Sequence, residues 1–468
     1  MRRRQFSALT SLGIASAILP VIPARAQAPD PSVLKTRLTP LGATRAGNAD
    51  RTIPAWTGGL TAPALPATQP IDVPLFTNDA PLYSVDARNM AQYENLLTPG
   101  TQAVMRKFGF CAKIYQTHRT AAAPQYVYDN TAKNVTRSQL DPAGGQMGFT
   151  GAYGGVPFPI IDTENTLAGG AQLIWNHLTS WRGFFRSTKY SSNFVVVNGT
   201  RSLSVATSNQ SIYPYYDPNG SLTTYTGYFN KAHWQLLPLS GPLSQPWIDL
   251  IICSGSAEDL YPKSAWLVPP DTCIGRVLKF YAQDAYAAFN PTASKIAALD
   301  EYACFYGKPG QYDWRFISKQ EMLVPYNCNA MHFQEAQDIL GPNFPNPDVV
   351  RWEKHRVWVV EARLRPGQTN VLARRRLYID EDSWQALLGE GFDATDKMIK
   401  YHAAYNHSIP SLPATCVLGS MVLDLLSGNY VYDGSIRADD NAADEFAEPQ
   451  SPAFFEPQTY MARTCSWL

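Results

Sequence analysis

Two apolar runs, His355–Leu364 (HRVWVVEARL) and Val371–Ile379 (VLARRRLYI), stand on either side of Arg365-Pro366-Gly367. Successive residues of a strand face opposite sides of a sheet, so Val359 and Val360 point in opposite directions. Both sides are apolar at the centre of the first run, which is typical of a strand covered on both faces or of one that wraps a ligand cavity. The two runs therefore predict a strand pair at the centre of a sheet.

Further strand signals extend this sheet. Asn198-Gly199 separates the apolar Phe194–Val197 from Ser202–Val205, which predicts a hairpin with a type I′ turn. Three more short strands are predicted, over Trp247–Cys253, Ser264–Val268 and Trp384–Leu388.

Helices are predicted to be few. Within Gly170–Trp181, Ile174, Leu178 and Trp181 follow the i, i+4, i+7 spacing of an amphipathic helix, and Gly183 provides a stop. Two shorter helices are predicted over Asn89–Leu97 and Thr101–Phe108. The predicted fold class is mostly β (α+β).

The composition excludes several classes of protein. The 468 residues contain 39 Lys+Arg and 39 Asp+Glu, and only 17% of them are charged. This balance, with no basic stripe, excludes a broadly basic nucleic-acid binder. The aromatic content of 12% argues against disorder.

The first 26 residues have the pattern of a secretory signal. Arg2-Arg3-Arg4 precedes the apolar Ala8–Ile22, and Ala24-Arg25-Ala26 is a small-x-small cleavage pattern. Arg3-Arg4-Gln5-Phe6 also resembles a twin-arginine signal, so the Sec and the twin-arginine routes both remain open. Since this segment holds four arginines and no acid, cleavage would leave a net charge of −4. We expect a periplasmic protein.

The rest of the chain divides into two predicted regions. Residues 27–135 are expected to form an N-terminal arm with short helices packed on the core, and residues 136–468 a curved-sheet domain with an acidic surface segment at 433–450. The seven cysteines are widely spaced without C-x-x-C, so pairing cannot be deduced and several are expected to be small buried hydrophobic residues. No cofactor is predicted, because the glycine-rich Ala143–Pro159 lacks a phosphate-binding Gly-Lys-Ser/Thr.

Two polar clusters are candidates for chemistry. His118 and Arg119 in Thr117–Thr120 could polarise an ester or bind a carboxylate, or could tie the arm to the core through hydrogen bonds, which is the favoured interpretation. Asp380-Glu381-Asp382 could be a carboxylate pair or a calcium loop, but it lacks the twelve-residue ligand pattern and a solvated turn is favoured. Neither a metal site nor a catalytic residue is predicted.

Several long motifs together resemble a large family of exported proteobacterial proteins of unknown function, often described as outer-membrane lipoprotein-sorting-like. The motifs run in order along nearly the whole mature chain. They are Leu38–Ala43, Ala46–Asp50, Ile53–Leu60, Thr117–Ala122, Pro124–Asp129, Gly154–Pro159, Ile174–Leu178, Tyr312–Trp314, His355–Ala362 and Arg375–Trp384.

The resemblance implies the fold of the LolA/LolB superfamily: a strongly curved antiparallel sheet that forms an incomplete barrel plugged by helices. Such barrels carry acyl chains or other apolar ligands across the periplasm, and genes of the family often lie near membrane exporters and an outer-membrane partner. No catalytic residue is established for the family, so His118 and Arg119 have no assigned role.

These expectations combine into a functional hypothesis. We expect a periplasmic binding or carrier protein for a hydrophobic small molecule, lipid, acyl chain or lipoprotein, working with an inner-membrane exporter and an outer-membrane protein. The cavity is expected to be lined by Trp358, Val360, Leu377, Tyr378 and Trp175. Two alternatives remain: an envelope hydrolase that uses His118 and Arg119, and a non-catalytic adaptor that docks on an exporter.

Overall fold

A computed structural model describes most of the chain after the predicted signal segment. The described residues are 29–61, 75–145, 148–237, 248–254, 262–268, 278–280, 296–434, 444–445 and 450–456. The predicted signal at 1–26 lies outside them, as does most of the predicted acidic segment.

Strands dominate the described residues. They are β1 Tyr83–Val85, β2 Ala112–Ile114, β3 Gln139–Leu140, β4 Phe149–Thr150, β5 Phe185–Val197, β6 Thr200–Ile212, β7 Asn230–Leu237, β8 Ile248–Ser254, β9 Pro262–Val268, β10 Leu278–Phe280, β11 Tyr312–Pro325, β12 Trp352–Leu364, β13 Arg374–Asp380, β14 Ala386–Phe392, β15 Met398–Ile409, β16 Ala414–Asp424, β17 Tyr430–Gly434 and β18 Asp444–Glu445. The α-helices are α1 Val33–Thr36, α2 Pro99–Phe108, α3 Gln125–Arg137, α4 Thr166–Leu178 and α5 Ala336–Ile339. Single 3₁₀ turns or short 3₁₀ helices cover Met90–Leu96, Pro214–Tyr216, Leu299–Cys304, Pro309–Gln311, Cys328–Phe333 and Pro452–Phe455.

All strands except the β3–β4 pair belong to one 16-stranded sheet. Its main path runs β1-β2-β12-β13-β14-β15-β16-β17-β5-β6-β7-β8-β9-β10, with β11 also paired to β12 and β18 to β5. All pairings are antiparallel apart from one parallel bridge between Ile114 and Trp352. The path has two free ends, so within the described residues the sheet is curved but does not close into a barrel. The predicted fold class is confirmed.

The central strand pair has the register that its alternating pattern requires. Val360 lies opposite Leu377 and Val359 opposite Tyr378 on neighbouring strands β12 and β13. The sheet then bends sharply enough for β11 to approach β14 and β15, although β11 pairs only with β12. Just after β11, the backbone N–H of Asn327 donates to Asn406 Oδ1 of β15.

The predicted hairpin is also confirmed. β5 and β6 are joined by Asn198 and Gly199, whose φ angles of 49° and 77° are the positive values that a type I′ turn needs. The strands predicted over Trp247–Cys253 and Ser264–Val268 correspond to β8 and β9.

The structure contains helices where the sequence predicts them, but most of the first and last residues of these helices differ from the predicted ones. The helix predicted over Gly170–Trp181 is α4, which starts earlier, after the N-cap Asn165, and ends at Leu178. Helix α3 follows Pro124 and is not predicted, because two of its three buried positions, Thr131 and Asn134, are polar and do not mark an apolar stripe beside Val127. The predicted boundary at 135/136 stays a prediction, and it falls within α3.

Apolar residues cover both faces of the curved sheet. We call these the Trp358 face and the Val359 face after two neighbouring residues of β12. On the Trp358 face, strand residues such as Val360 and Leu377 pack with Trp175 of α4. On the Val359 face, strand residues pack with Val104 and Met105 of α2. The central strands are therefore buried on both sides, as the pattern of β12 predicts.

Three of the cysteines are interior residues. Cys304, Cys328 and Cys416 are buried thiols, and Cys111 is a partly exposed thiol. Among the described residues, none of the helices has both the length and the apolar character needed to cross a membrane.

Candidate functional site

The five residues predicted to line a cavity lie in the interior. Trp358, Val360, Leu377 and Trp175 belong to the packed layer on the Trp358 face, whereas Tyr378 lies on the Val359 face. Their exposed fractions run from 0% for Val360 and Trp175 to 8% for Trp358. Helix α4 and the surrounding loops fill the space over these strands with side chains. A ligand role for the five residues stays a prediction.

A small cavity lies beside this layer. It is lined by Leu41, Trp181, Trp384 and neighbouring residues and holds about 10 Å³. That volume is enough for about one water molecule and far below the several hundred Å³ of a typical ligand pocket. This cavity cannot receive an acyl chain without movement of its walls.

In another part of the sheet, the strand register aligns apolar residues of neighbouring strands. In β7–β10, cross-strand register places Trp234, Leu250, Leu267 and Leu278 in one row. The same face carries two further rows, and every position in the three rows is apolar. We call this set the β7–β10 apolar face; it comprises Ala232, Trp234, Leu236, Ile248, Leu250, Ile252, Ala265, Leu267, Leu278 and Phe280.

The opposite face of the same strands has a mixed composition. It carries His233 and Gln235 on β7, Asp249 on β8 and Lys279 on β10. The C-terminal 3₁₀ turn lies on this side, since the His233 ring contacts the Phe454 ring with centroids 5.5 Å apart. The apolar character is thus specific to one face of these four strands.

The β7–β10 apolar face ends at β6. The β6 residues that pair with it are Thr207, Asn209 and Ser211, opposite Leu236, Trp234 and Ala232, respectively. The residue type along these rows therefore changes from apolar to polar between two adjacent strands.

Arg119 ties the N-terminal arm to the sheet. Its guanidinium binds Asp382 through two hydrogen bonds, Nε–Oδ2 at 2.9 Å and Nη2–Oδ1 at 2.7 Å. It also donates to the carbonyl oxygens of Thr44, Arg45 and Pro54 in the arm. Arg119 thus joins the arm to the core through hydrogen bonds, which is the role that the sequence analysis favours for it.

His118 lies closer to the surface than Arg119. Its Nε2 lies 2.8 Å from Asp79 Oδ2, and its ring stacks on Phe76 with centroids 3.9 Å apart. Asp79 also accepts from Arg351, and the backbone N–H of His118 donates to Glu353 Oε2. His118 therefore has an acidic neighbour, but the same contacts dock the 75–79 segment onto His118 and onto Arg351, which precedes β12.

His355 occupies the centre of a buried polar cluster. Its Nε2 lies 3.1 Å from Glu353 Oε2 and its Nδ1 lies 3.4 Å from Asp380 Oδ1, while the ring stacks on Tyr326. Burial opposes the charged imidazolium, but the nearby carboxylates of Asp380 and Glu353 outweigh it and raise the pKa of His355 to about 9. In the absence of another cation, His355 is an imidazolium between two carboxylates at neutral pH.

The prediction of a solvated turn at Asp380–Ser383 is wrong. Asp380, Glu381 and Asp382 are between 0% and 3% exposed. The backbone N–H and the hydroxyl of Ser383 both donate to Asp380 Oδ2, at 2.8 and 2.7 Å. The turn is buried because the arm covers it and supplies Arg119, and because Lys319 and Arg356 bind Glu381.

A second group of buried charges lies on the Trp358 face. The 3₁₀ helix Leu299–Cys304 docks there through Glu301, which accepts from His402 at 2.8 Å, and through Asp300, which binds Arg375. Burial alone would raise the pKa of Glu301, but the His402 contact and nearby cations lower it to about 2. Sequence reasoning missed this group, because its members lie up to about a hundred positions apart and no short motif links them.

The chain is similar to a known protein family. A family model described as "Protein of unknown function (DUF1329)" matches residues 84–460. The chain is 30% identical over 444 residues to "Uncharacterized protein PA3922" of Pseudomonas aeruginosa. The match covers 93% of each chain. The family match confirms the resemblance that the sequence motifs indicate.

Two solved structures are also similar to the chain. One is a DUF1329 family protein from Desulfovibrio piger, at 11% identity and a TM-score of 0.38, over 63% of this chain and 98% of that one. The other is a putative outer membrane lipoprotein-sorting protein domain from Vibrio parahaemolyticus, at 10% identity and a TM-score of 0.39, over 64% and 100%.

Proposed function

We propose that this chain, which belongs to the DUF1329 family of proteins of unknown function, binds a lipid-like ligand on the β7–β10 apolar face. The observation that carries the proposal is the register of four adjacent strands, which aligns ten apolar residues in three adjacent rows on a single face; the next row, Asn230 opposite Ser254, is polar. The opposite face of the same strands is mixed, so the pattern does not reflect a generally apolar segment.

The driving force for such binding is the removal of apolar surface from water. Each buried methylene of an acyl chain contributes about 0.8 kcal/mol, so a chain of ordinary length needs neither a charge nor a metal for affinity. The polar residues Thr207, Asn209 and Ser211 at the boundary would lie next to the polar end of the ligand. The ligand class that fits is an amphipathic molecule with one acyl chain or a comparable apolar body.

We further propose that the protein acts as a carrier in the periplasm. The signal pattern at residues 1–26 supports export, and the twin-arginine pattern within it makes export in the folded state part of the proposal. A carrier needs reversible binding and a membrane protein that hands over or accepts the ligand. An exporter of the inner membrane and an outer-membrane protein are the partners we propose for these two steps.

The test uses the full mature chain and a defined probe, the fluorescent fatty acid cis-parinaric acid. Leu250→Glu places a charge on the β7–β10 apolar face, and Ile251→Glu places the same charge on the opposite face of the same strand. We expect Leu250→Glu to weaken probe binding at least tenfold and Ile251→Glu to change it less than twofold. Circular dichroism and the unfolding midpoint show whether each variant is folded.

Two outcomes would contradict the proposal. One is the absence of saturable probe binding by the wild-type chain together with the absence of co-purified lipid in organic extracts of the protein taken from the periplasm. The other is equal weakening by the two folded variants, which would place the ligand away from this face.

A further inference from the structure

We propose that His355, Asp380 and Asp382 form a binding site for one divalent transition-metal ion of the Zn²⁺ class. Each of the three side chains offers one ligand atom, and these atoms all lie within 4.8 Å of one another. The site lies where the end of β13 and the buried turn after it meet β12, apart from the β7–β10 apolar face. It is independent of the proposed carrier function.

The orientation of His355 is that of a metal ligand. One ring nitrogen, Nε2, lies 3.1 Å from Glu353 Oε2, which fixes the ring and leaves Nδ1 directed at Asp380. Metal-binding histidines commonly donate their other ring N–H to a carboxylate in this way. Glu353 is fully buried and is itself held by Arg351 and Asn327.

The gap between His355 and Asp380 also fits an ion. Nδ1 and Oδ1 lie 3.4 Å apart, which is longer than the 2.7–2.9 Å of a charge-assisted hydrogen bond. Two ligands bound tetrahedrally at roughly 2.0–2.1 Å from a zinc ion lie about 3.4 Å from each other. The separation therefore needs no rearrangement of the backbone.

Two buried oxygen atoms at this point have no hydrogen bond within the described part of the chain. They are Oδ1 of Asp380, which faces the His355 ring nitrogen at 3.4 Å, and the hydroxyl of Tyr326; both residues are 0% exposed. The Tyr326 ring stacks on the His355 ring with centroids 3.9 Å apart, so Tyr326 lies beside the site. A buried polar atom without a partner costs free energy, and an ion would satisfy both oxygens.

The remaining oxygen atoms are already held in place. Ser383 donates twice to Asp380 Oδ2, and Arg119 donates to both oxygens of Asp382. Each carboxylate oxygen has a further lone pair for a metal, so these hydrogen bonds orient the ligands without blocking them. They correspond to the outer contacts that support metal sites in other proteins.

The charged side chains around the site carry one more negative charge than permanent positive charges. Five carboxylates meet there, and four permanent cations face them. The acids are Asp79, Glu353, Asp380, Glu381 and Asp382, and the cations are Arg119, Lys319, Arg351 and Arg356. A metal ion bound at His355 Nδ1 would supply the missing positive charge.

The choice of metal follows from the ligand set. Imidazole nitrogen favours Zn²⁺ and related transition ions over Ca²⁺ and Mg²⁺, which prefer all-oxygen sites with more ligands. One imidazole, two carboxylates and a nearby phenol or water give the four ligands of a closed zinc site. An ion there would link β12 to the turn after β13.

The test titrates the metal-free full chain with Zn²⁺ alone, by calorimetry, at a pH above 7. We expect one ion per chain. Asp380→Asn removes the charge but keeps the shape and is expected to weaken Zn²⁺ binding at least tenfold. The matched control is His402→Gln, which removes another buried histidine that pairs with a carboxylate, in the second group of buried charges; it is expected to leave Zn²⁺ binding unchanged.

A spectroscopic measurement covers the case in which Asp380→Asn does not fold. Co²⁺ bound in a four-coordinate site absorbs strongly in the visible region, and we expect the wild-type chain to show this absorption and to lose it on addition of Zn²⁺. Binding of fewer than about one tenth of an ion per wild-type chain would overturn the proposal. So would Zn²⁺ affinity that is the same in folded Asp380→Asn and in His402→Gln.

Discussion

Arg119 and Asp382 form a bidentate ion pair in the interior of the protein, and the two side chains are 2% and 3% exposed. The pair joins segments that are 263 positions apart in the chain. Because Arg119 also donates to Thr44 and Pro54, it connects three parts of the chain at one guanidinium. A lysine could not make these contacts, since its ammonium has no planar fork of donors.

We expect Arg119→Met to lower the free energy of unfolding by about 3–5 kcal/mol, because it leaves Asp382 buried without its cation. Urea unfolding of wild type and variant at neutral pH measures the difference. Arg88→Met is the control, since Arg88 and Asp86 form an ion pair in which the Arg88 side chain is 90% exposed. We expect no measurable shift for the control, and an equally small effect of Arg119→Met would contradict the assignment.

Local patterns predicted the sheet well. The alternation in His355–Leu364 and the Asn198-Gly199 turn each depend on neighbouring residues, and both appear in the structure as expected. Helix α3 is missed because the residues on its buried side include the polar Thr131 and Asn134 beside Val127, and their burial depends on contacts with the rest of the chain. Local propensity cannot show this.

The candidate site was predicted only in part. His118, Arg119 and the Asp380–Asp382 turn were recognised as unusual, but the turn looks solvated when its sequence is taken alone. Its burial depends on the arm, which supplies Arg119 from 263 positions away. The β7–β10 apolar face was not recognised either, because its rows appear only once four strands are in register.

The packing of α4 against β11 gives a second prediction. A Cβ atom on Gly170 would lie 2.5 Å from backbone atoms of Trp314 and Arg315, so no larger residue fits without moving the helix. We expect Gly170→Ala to lower the free energy of unfolding by about 1–3 kcal/mol, despite the better helix propensity of alanine. Thermal or urea unfolding measures this change.

Leu167→Ala on the same helix is the matched control, because Leu167 is 45% exposed. We expect little change for it. A stabilising effect of Gly170→Ala would show that α4 packs less closely on β11 than the structure indicates.

The buried His177 predicts a dependence of stability on pH. Its Nε2 donates to the carbonyl oxygen of Phe305, and its Nδ1 accepts from the N–H of Ala386, so the neutral ring is fully satisfied. Burial lowers the pKa of His177 to about 4, below the value near 6.5 of an unfolded chain. Between these pH values the unfolded state binds a proton that the folded state does not.

The contribution of His177 to stability is therefore complete above about pH 6.5 and falls as the pH is lowered toward 4. At pH 5 the loss amounts to about 2 kcal/mol. We expect the free energy of unfolding to fall less between pH 7.5 and 5 in His177→Asn than in wild type. Equal falls would show that His177 is protonated in the folded protein.

A substitution of Leu377 tests whether the ligand binds in the core of the Trp358 face or on the β7–β10 apolar face. The side chain is 1% exposed and packs in the layer that includes Trp358 and Trp175. We expect Leu377→Ala to lower the free energy of unfolding by about 2–5 kcal/mol, as for other large-to-small changes in a packed interior. If the ligand binds at β7–β10, the affinity of the folded variant for cis-parinaric acid should stay within twofold of the wild-type value.

Leu203→Ala serves as the control for stability, because Leu203 is 39% exposed and should tolerate truncation. The informative comparison is between affinity and stability in Leu377→Ala. A tenfold loss of affinity in a variant that remains folded would place the ligand among Trp358, Val360 and Leu377, as predicted from the sequence. Retained affinity with reduced stability would assign these residues to the core that supports the sheet, because the side chain would then contribute packing and no contact with the ligand.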